Sequence, residues 1–261
     1  MNDTPKTLDD LRHEIDRIDD AMHRLLIERG GIIDALVRVK RTGETGSAFR
    51  PGREADMMRR LVARHSGRLP FSAVENIWRT IISGFTHVQA PYAVHVDMSS
   101  DPAGMRDLAR FQMGFDVPLI AYDSADAVVS AVSASQGDLG LIGLGVTRSP
   151  WWLNIGPGKP QVMARLPFLI YPDRPAATPA VVIAKPLGDA AVDEIAVVAA
   201  DFAAAPPAGM FDVITETVGG DRWRGLVAIP SARVPEGAVR VGSYAQPIDL
   251  ADTAAPAAAA G

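Results

Sequence analysis

Between Leu8 and Lys40 apolar residues fall at Leu8, Leu11, Ile15, Ile18, Met22, Leu25, Ile32, Leu36 and Val39. The steps alternate between three and four, the period of one face of an α-helix. The pattern predicts a single amphipathic helix from Leu8 to about Arg41, roughly 50 Å long at about 1.5 Å per residue. Asp9 and Asp10 put acidic charge in its first turn, where the helix dipole favours it, and the TGETGS cluster at Thr42–Ser47 closes it. The register breaks once. Position 29, between Leu25 and Ile32, carries Arg29 where an apolar side chain is due. A charge on such a seam is costly unless it is paired or binds something. Gly30 and Gly31 follow it inside the helix, each costing about 1 kcal/mol relative to alanine and leaving room for close approach.

Two shorter helices follow. One starts at Pro51, with Met57, Met58, Leu61 and Val62 as its apolar face, and stops at His65-Ser66-Gly67. The next starts near Pro70 and carries Val74, Ile77, Trp78, Ile81, Ile82, Phe85 and Val88 up to Pro91. Beyond Pro91 the pattern changes to short apolar runs alternating with helical stretches. Strands are expected at Tyr92–Val96, Val117–Tyr122, Asp138–Gly145, Met163–Tyr171 and Ala180–Ala184, and helices at 102–114 and Ala125–Ser133. That alternation predicts a parallel or mixed α/β sheet. From about residue 187 a second small unit is expected, with a helix over Val192–Phe202 and strands at Phe211–Val218, Gly225–Ile229 and Ala238–Tyr244. The alanine-rich tail, residues 251–261, reads as disordered. The fold class is therefore multidomain, α followed by α/β: a three-helix domain over residues 1–91, an α/β domain over 92–250 and a tail.

Length changes this picture in one respect. A 50 Å helix cannot bury its whole seam against two shorter partners of its own chain, so the surplus apolar surface predicts a homodimer, the alternative being a helix packed on the C-terminal domain of its own chain. The 261 residues fit one or two domains. The net charge of −5 gives no reason to expect nucleic acid. The absence of cysteine excludes disulfides, thiolate metal sites and cysteine nucleophiles. The polar start MNDTPKTLDD is not a secretory signal, and no apolar run approaches the length of a membrane span, so a cytoplasmic protein without membrane contact is expected. The five histidines show no metal-ligand spacing, and Gly140, Gly143 and Gly145 lack the lysine of a phosphate loop. Neither metal nor cofactor is expected. Trp151-Trp152 marks either a packing anchor or a binding surface.

The candidate chemistry lies in the first 91 residues. Arg29 and Lys40 are 11 residues apart and fall within roughly 20° of each other on one helix face. Arg12, 17 residues before Arg29, falls about 100° away and reaches a shared pocket only from an antiparallel partner chain. Arg53 and Glu54 open the second helix, and Gln89 lies near the end of the third. Several arginines and a lysine converging in a helical bundle suit a small dianion or trianion, because guanidinium forks match carboxylates two-point.

The ordered set Leu11-Arg12, Ile15-Asp16, Ile18-Asp19, Leu25-Leu26, Glu28-Arg29, Val39-Lys40, Arg50-Pro51, Arg53-Glu54 and Gln89 resembles the all-helical (AroQ-type) chorismate mutases over residues 8–90. The resemblance implies an intertwined helical dimer that rearranges chorismate to prephenate by an intramolecular Claisen reaction, with no cofactor, metal or covalent intermediate. It also implies roles. Arg29 and the partner chain's Arg12 hold the two carboxylates, Lys40 and Gln89 donate to the ether oxygen, Glu54 accepts from the ring hydroxyl, and Arg53 supports the carboxylate end. Two positions depart from the pattern. Phe85 stands where serine is frequent, and Arg50 where some members are acidic.

The second half resembles, more weakly, the prephenate dehydratase and ACT-like regions that follow the mutase in bifunctional enzymes. Asp138–Gly145 resembles the strand before the dehydratase loop, and Val241-Gly242-Ser243-Tyr244 resembles the Gly-Ser-Tyr ending of the regulatory part. The dehydratase Thr-Arg-Phe motif has no counterpart better than Thr178-Pro179-Ala180, and Thr147-Arg148 is followed by Ser149. The expected function is a chorismate mutase of aromatic amino acid biosynthesis with a non-catalytic or regulatory C-terminal domain. The alternatives are a bifunctional mutase/dehydratase, a lyase acting on isochorismate, and a small-molecule sensor that uses its helices only to dimerise.

Overall fold

Thr7 and Asp10 start the first helix by bonding each other. The Thr7 amide and hydroxyl donate to Asp10 Oδ2 at 2.8 and 2.7 Å, and the Asp10 amide donates back to Thr7 Oγ1 at 3.2 Å. This reciprocal cap satisfies amides that a helix N-terminus leaves open. Helix α1 then runs unbroken over Leu8–Lys40, 33 residues, so Gly30 and Gly31 do not interrupt it. The computed structural model describes residues 7–40, 48–186, 192–204, 212–217 and 222–250. The turn expected at Thr42–Ser47 and the tail 251–261 lie outside them.

The chain forms two compact units, Met1–Thr45 and Gly46–Gly261. Within the second, α2 (Pro51–Arg64) begins with its proline in the first turn, as read from the sequence, and α3 (Phe71–Gln89) follows. Both pack with Phe168, Leu169 and Ala245 around Met58, Leu61 and Ile82.

The sheet strands are β1 (Val94–Asp97), β2 (Leu119–Tyr122), β3 (Leu139–Gly143), β4 (Gly145–Thr147), β5 (Gln161–Leu166), β7 (Ala180–Ala184), β8 (Ile195–Phe202), β9 (Asp212–Thr217), β10 (Trp223–Pro230) and β11 (Val239–Tyr244). They form one ten-stranded sheet in the order β2-β1-β3-β7-β5-β11-β8-β10-β9-β4. A separate pair joins β6 (Leu169–Ile170) to β12 (Ile248–Asp249). β1 is parallel to β2 and β3, whereas β7 is antiparallel to β3 and β5, so the sheet is mixed. Helix α4 (Pro102–Met113) starts at Asp101, whose Oδ1 accepts from the Gly104 amide at 3.0 Å. It packs Met105 and Leu108 with Leu139 and Leu141 on one sheet face. Helix α5 (Ala125–Ala134) packs Val128 and Val132 on the other face, with Ile142, Ile183 and the Trp151–Trp152 pair. Both indoles are buried and meet edge to face, centroids 5.7 Å apart, which makes them packing anchors.

Three expectations are corrected. Val192–Phe202 is not a helix. Ile195–Phe202 is strand β8, hydrogen-bonded to β10 on one side and β11 on the other. Its run IAVVAADF fits either period, and two-sided pairing with consecutive burial of Ala196, Val197 and Val198 decides for the strand. Met163–Tyr171 is not one strand but β5 and β6, divided at Pro167, which has no amide to donate to a ladder. Asp138–Gly145 likewise divides into β3 and β4, which lie at distant places in the sheet order.

The Gly-Ser-Tyr segment has a structural cause. A Cβ on Gly242 would sit 2.3 Å from the Val162 carbonyl oxygen and 2.5 Å from its amide nitrogen, where β11 pairs with β5. Both obstacles are backbone and cannot swing away. Gly242→Ala is therefore expected to cost on the order of 3 kcal/mol, read as a lower urea midpoint, by forcing the strand apart.

Candidate active site

Arg12, Arg29 and Lys40 all lie on α1, in the first unit. Seventeen residues of straight helix separate Arg12 from Arg29 by about 25 Å along the axis, so the two cannot meet on one ligand within one chain. Arg12 is exposed and pairs with Asp9 at 3.4 Å, a surface bridge worth a few tenths of a kcal/mol. Arg29 is half-buried, whereas its seam neighbours Leu25 and Ile32 are 63% and 65% exposed. Most of the apolar stripe is open as well, with Leu8, Leu11, Ile15, Ile18, Met22 and Val39 exposed and Leu36 half-buried. The Lys40 side chain lies outside the described residues.

Arg53, Glu54 and Gln89 belong to the second unit. Arg53 is exposed. Gln89 donates through Nε2 to the Phe85 carbonyl at 3.0 Å, one turn back on its own helix. Glu54 is turned inward, lining a cleft with Arg79 of α3, Gln112 and Met113 of α4, and Met163, Arg165 and Leu166 of β5. The cleft holds about 400 Å³ counted out to its open mouth. Arg53 and Gln89 are not among its lining residues. Arg50 donates to the Phe49 carbonyl at 2.9 Å.

Glu54 has company that the sequence reading missed. Arg79 Nη1 donates to Glu54 Oε2 at 3.2 Å, and their side chains are 3% and 14% exposed. Burial pushes the Glu54 carboxyl up to about 7, against the downward pull of the Arg79 charge. Burial likewise draws Arg79 down from its ordinary value, opposed by Glu54 and Glu75. The stripe assigned to α3 is thereby corrected. Ile77 and Val88 are exposed, whereas Glu75, Arg79, Ser83 and Thr86 on the adjoining face are buried with Val74 and Ile82. The charges on that face are buried because they pair. Their signal in the sequence was faint: Glu75 and Arg79 are spaced i,i+4, the spacing of an ordinary surface ion pair.

The arrangement can bind anions and hydrogen-bond donors. It offers no nucleophile–base pair in the cleft, and no group of three or more metal-binding side chains occurs among the described residues. No described helix is long and apolar enough to cross a membrane.

Residues 11–90 match the family model for chorismate mutase type II. A bifunctional chorismate mutase/prephenate dehydratase of Neisseria gonorrhoeae is 33% identical over 93 residues. That match takes in 34% of this chain, and the chain spans about a quarter of the relative's length. No solved structure matches the chain.

Proposed function

From the premise that residues 11–90 are a chorismate mutase type II domain, we propose that this protein converts chorismate to prephenate and works as a homodimer in the cytoplasm. The observation that supports it most is the family match itself, because the matched segment carries Arg12, Arg29, Lys40, Arg53, Glu54 and Gln89 in order. The reaction is an intramolecular bond exchange. The enzyme needs to hold the substrate folded, with its reacting carbons close, and to aim donors at charge growing on the ether oxygen. In this reading Arg29 and the partner chain's Arg12 clamp the two carboxylates. Lys40 and Gln89 serve the ether oxygen, Gln89 exchanging its bond to Phe85 for one to substrate. Glu54 accepts from the ring hydroxyl and Arg53 supports the carboxylate end.

The open apolar stripe of α1 and its length support dimerisation, since exposed seams of this extent are costly in water. Gly31 fits the same reading, because a Cβ there would meet nothing within 4 Å of its own chain. We keep the functional boundary near residue 91 and read residues 92–250 as non-catalytic. At the place where a dehydratase motif would be sought, Thr178 donates to Asp101 Oδ2 at 3.1 Å and Ala180 is buried in β7. Both are taken up by packing.

The test is product analysis with purified protein. Prephenate from chorismate supports the proposal, and no conversion overturns it. Release of pyruvate from isochorismate would instead identify a lyase.

The raised Glu54 carboxyl gives two pH predictions. As an acceptor Glu54 must be ionised, so kcat/KM should fall as pH drops below about 7. Stability should run the other way. Between the unfolded value near 4.5 and the folded value near 7, the native state holds a proton that the unfolded state lacks. The Glu54 contribution therefore declines as pH rises through that window, by on the order of 2–3 kcal/mol. Urea titrations at pH 5 and pH 8 should show this loss in the wild type, and Glu54→Gln should lack it.

A further inference from the structure

Past Glu54 and Arg79 the buried charges continue into the α/β part of the second unit. Arg79 Nε lies 3.9 Å from Glu75 Oε1. Glu75, fully buried, accepts from Arg174 Nη2 at 2.8 Å on Oε1 and from the Tyr171 hydroxyl at 2.8 Å on Oε2. Arg174 is 2% exposed at its side chain. Its Nη1 donates to the Pro175 and Ala176 carbonyls at 2.9 and 2.7 Å, and its guanidinium lies over the Phe111 ring, 4.7 Å from the centroid. The loop that presents it carries Asp173 and Ala176 at φ 55° and 53°, a conformation that non-glycine residues rarely adopt without support. Charges thus alternate along one line: Glu54, Arg79, Glu75, Arg174.

We propose that Arg174 and Tyr171 are positioning residues for Glu54, acting through Glu75 and Arg79, so that the α/β part sets the charge state of the helical site. The proposal rests on the reading of Glu54 as the acceptor of the substrate hydroxyl. The physical basis is competition for one cation. Glu54 and Glu75 both draw on Arg79. Arg174 and Tyr171 satisfy Glu75, which leaves Arg79 to Glu54. Remove Arg174, and Glu75 pulls Arg79 toward itself, so Glu54 holds its proton more tightly. Remove the Glu75 charge, and Arg79 belongs to Glu54 alone. The other groups that bear on Glu54 are Arg165 of β5 and Gln112 of α4 in the same cleft, the Tyr92 phenol, and Arg50 and Arg53 flanking it in sequence. None of them is altered in the test.

The test follows the Glu54 midpoint two ways: the acid limb of kcat/KM with chorismate, and the carboxyl carbon resonance assigned by its loss in Glu54→Gln. Arg174→Gln should raise the midpoint by about one pH unit, and Glu75→Gln should lower it by about as much. Tyr171→Phe, which removes one oxygen and leaves the fold least disturbed, should raise it by a smaller amount. Arg79→Met should raise it most, and Arg79→Lys should restore part of the difference. Opposite shifts at the two ends support the relay, because a purely structural role lowers kcat/KM at every pH without moving a midpoint. Folded variants with an unmoved midpoint, or with shifts in the same direction, overturn it. The resonance separates this from failure of the substrate assignment. Absent turnover with the expected resonance shifts removes the mutase reading and supports the charge relay.

Discussion

Arg29→Ala is expected to lower kcat/KM for chorismate on the order of a thousandfold while leaving the helical circular dichroism signal intact. Arg29 interrupts the apolar register of α1 and is half-buried between seam positions that are mostly exposed. If it clamps a substrate carboxylate, truncation removes two parallel charge-assisted hydrogen bonds, worth about 4 kcal/mol together, and about three powers of ten in rate follow. Arg29→Lys should recover only part of this, because a point charge cannot reproduce the fork. Steady-state kinetics on the three proteins decides the matter, and unchanged turnover in Arg29→Ala would remove the mutase reading.

Mixing two crippled variants should restore activity. Arg12→Ala and Arg29→Ala homodimers each lack one clamp in both sites. In a mixed dimer, one site draws Arg29 from the first chain and Arg12 from the second, and both are intact. The other site lacks both. Random reassortment at equal concentrations makes half of the dimers mixed, so about a quarter of wild-type activity should return. Refolding the two variants together from urea and assaying prephenate formation tests this directly. Activity no higher than the average of the two parents means that Arg12 does not cross between subunits. The basis is geometry that the helix imposes on its own: 17 residues place the two arginines about 25 Å apart and about 100° around the axis.

The rise and rotation that separate Arg12 from Arg29 follow from the sequence alone, and α1 is where the sequence is most informative. A long stripe, broken only at Arg29, fixes both the type and the extent of the element, because nothing except a helix satisfies a three-four period over so many residues. α2 and α3 were legible for the same reason, helped by Pro51 and Pro70 at their starts. So were the short strands with punctuated ends, β7 foremost. β8 was not, because its run IAVVAADF, mostly alanine and valine, is compatible with either period. Its identity was decided by neighbours that come later in the chain, β10 and β11. The strand break at Pro167 is legible in the sequence, because proline has no amide to donate to a ladder.

The candidate site divides along the same line. Arg12, Arg29, Lys40, Arg53, Glu54 and Gln89 were found by order and spacing, which are properties of a string. Arg79, Glu75, Tyr171 and Arg174 were not. Glu75 and Arg174 are 99 residues apart, and no local rule marks a glutamate one place off an apolar stripe as fully buried. Only the packing of α3 against the α/β part made it so. By itself the sequence determined the long helix, its excess apolar seam and the cations set along it, because local periodicity dictates these. The tertiary structure decided which face of α3 is buried and which carboxylate Arg79 serves. Desolvation and pairing depend on what the rest of the fold brings within reach.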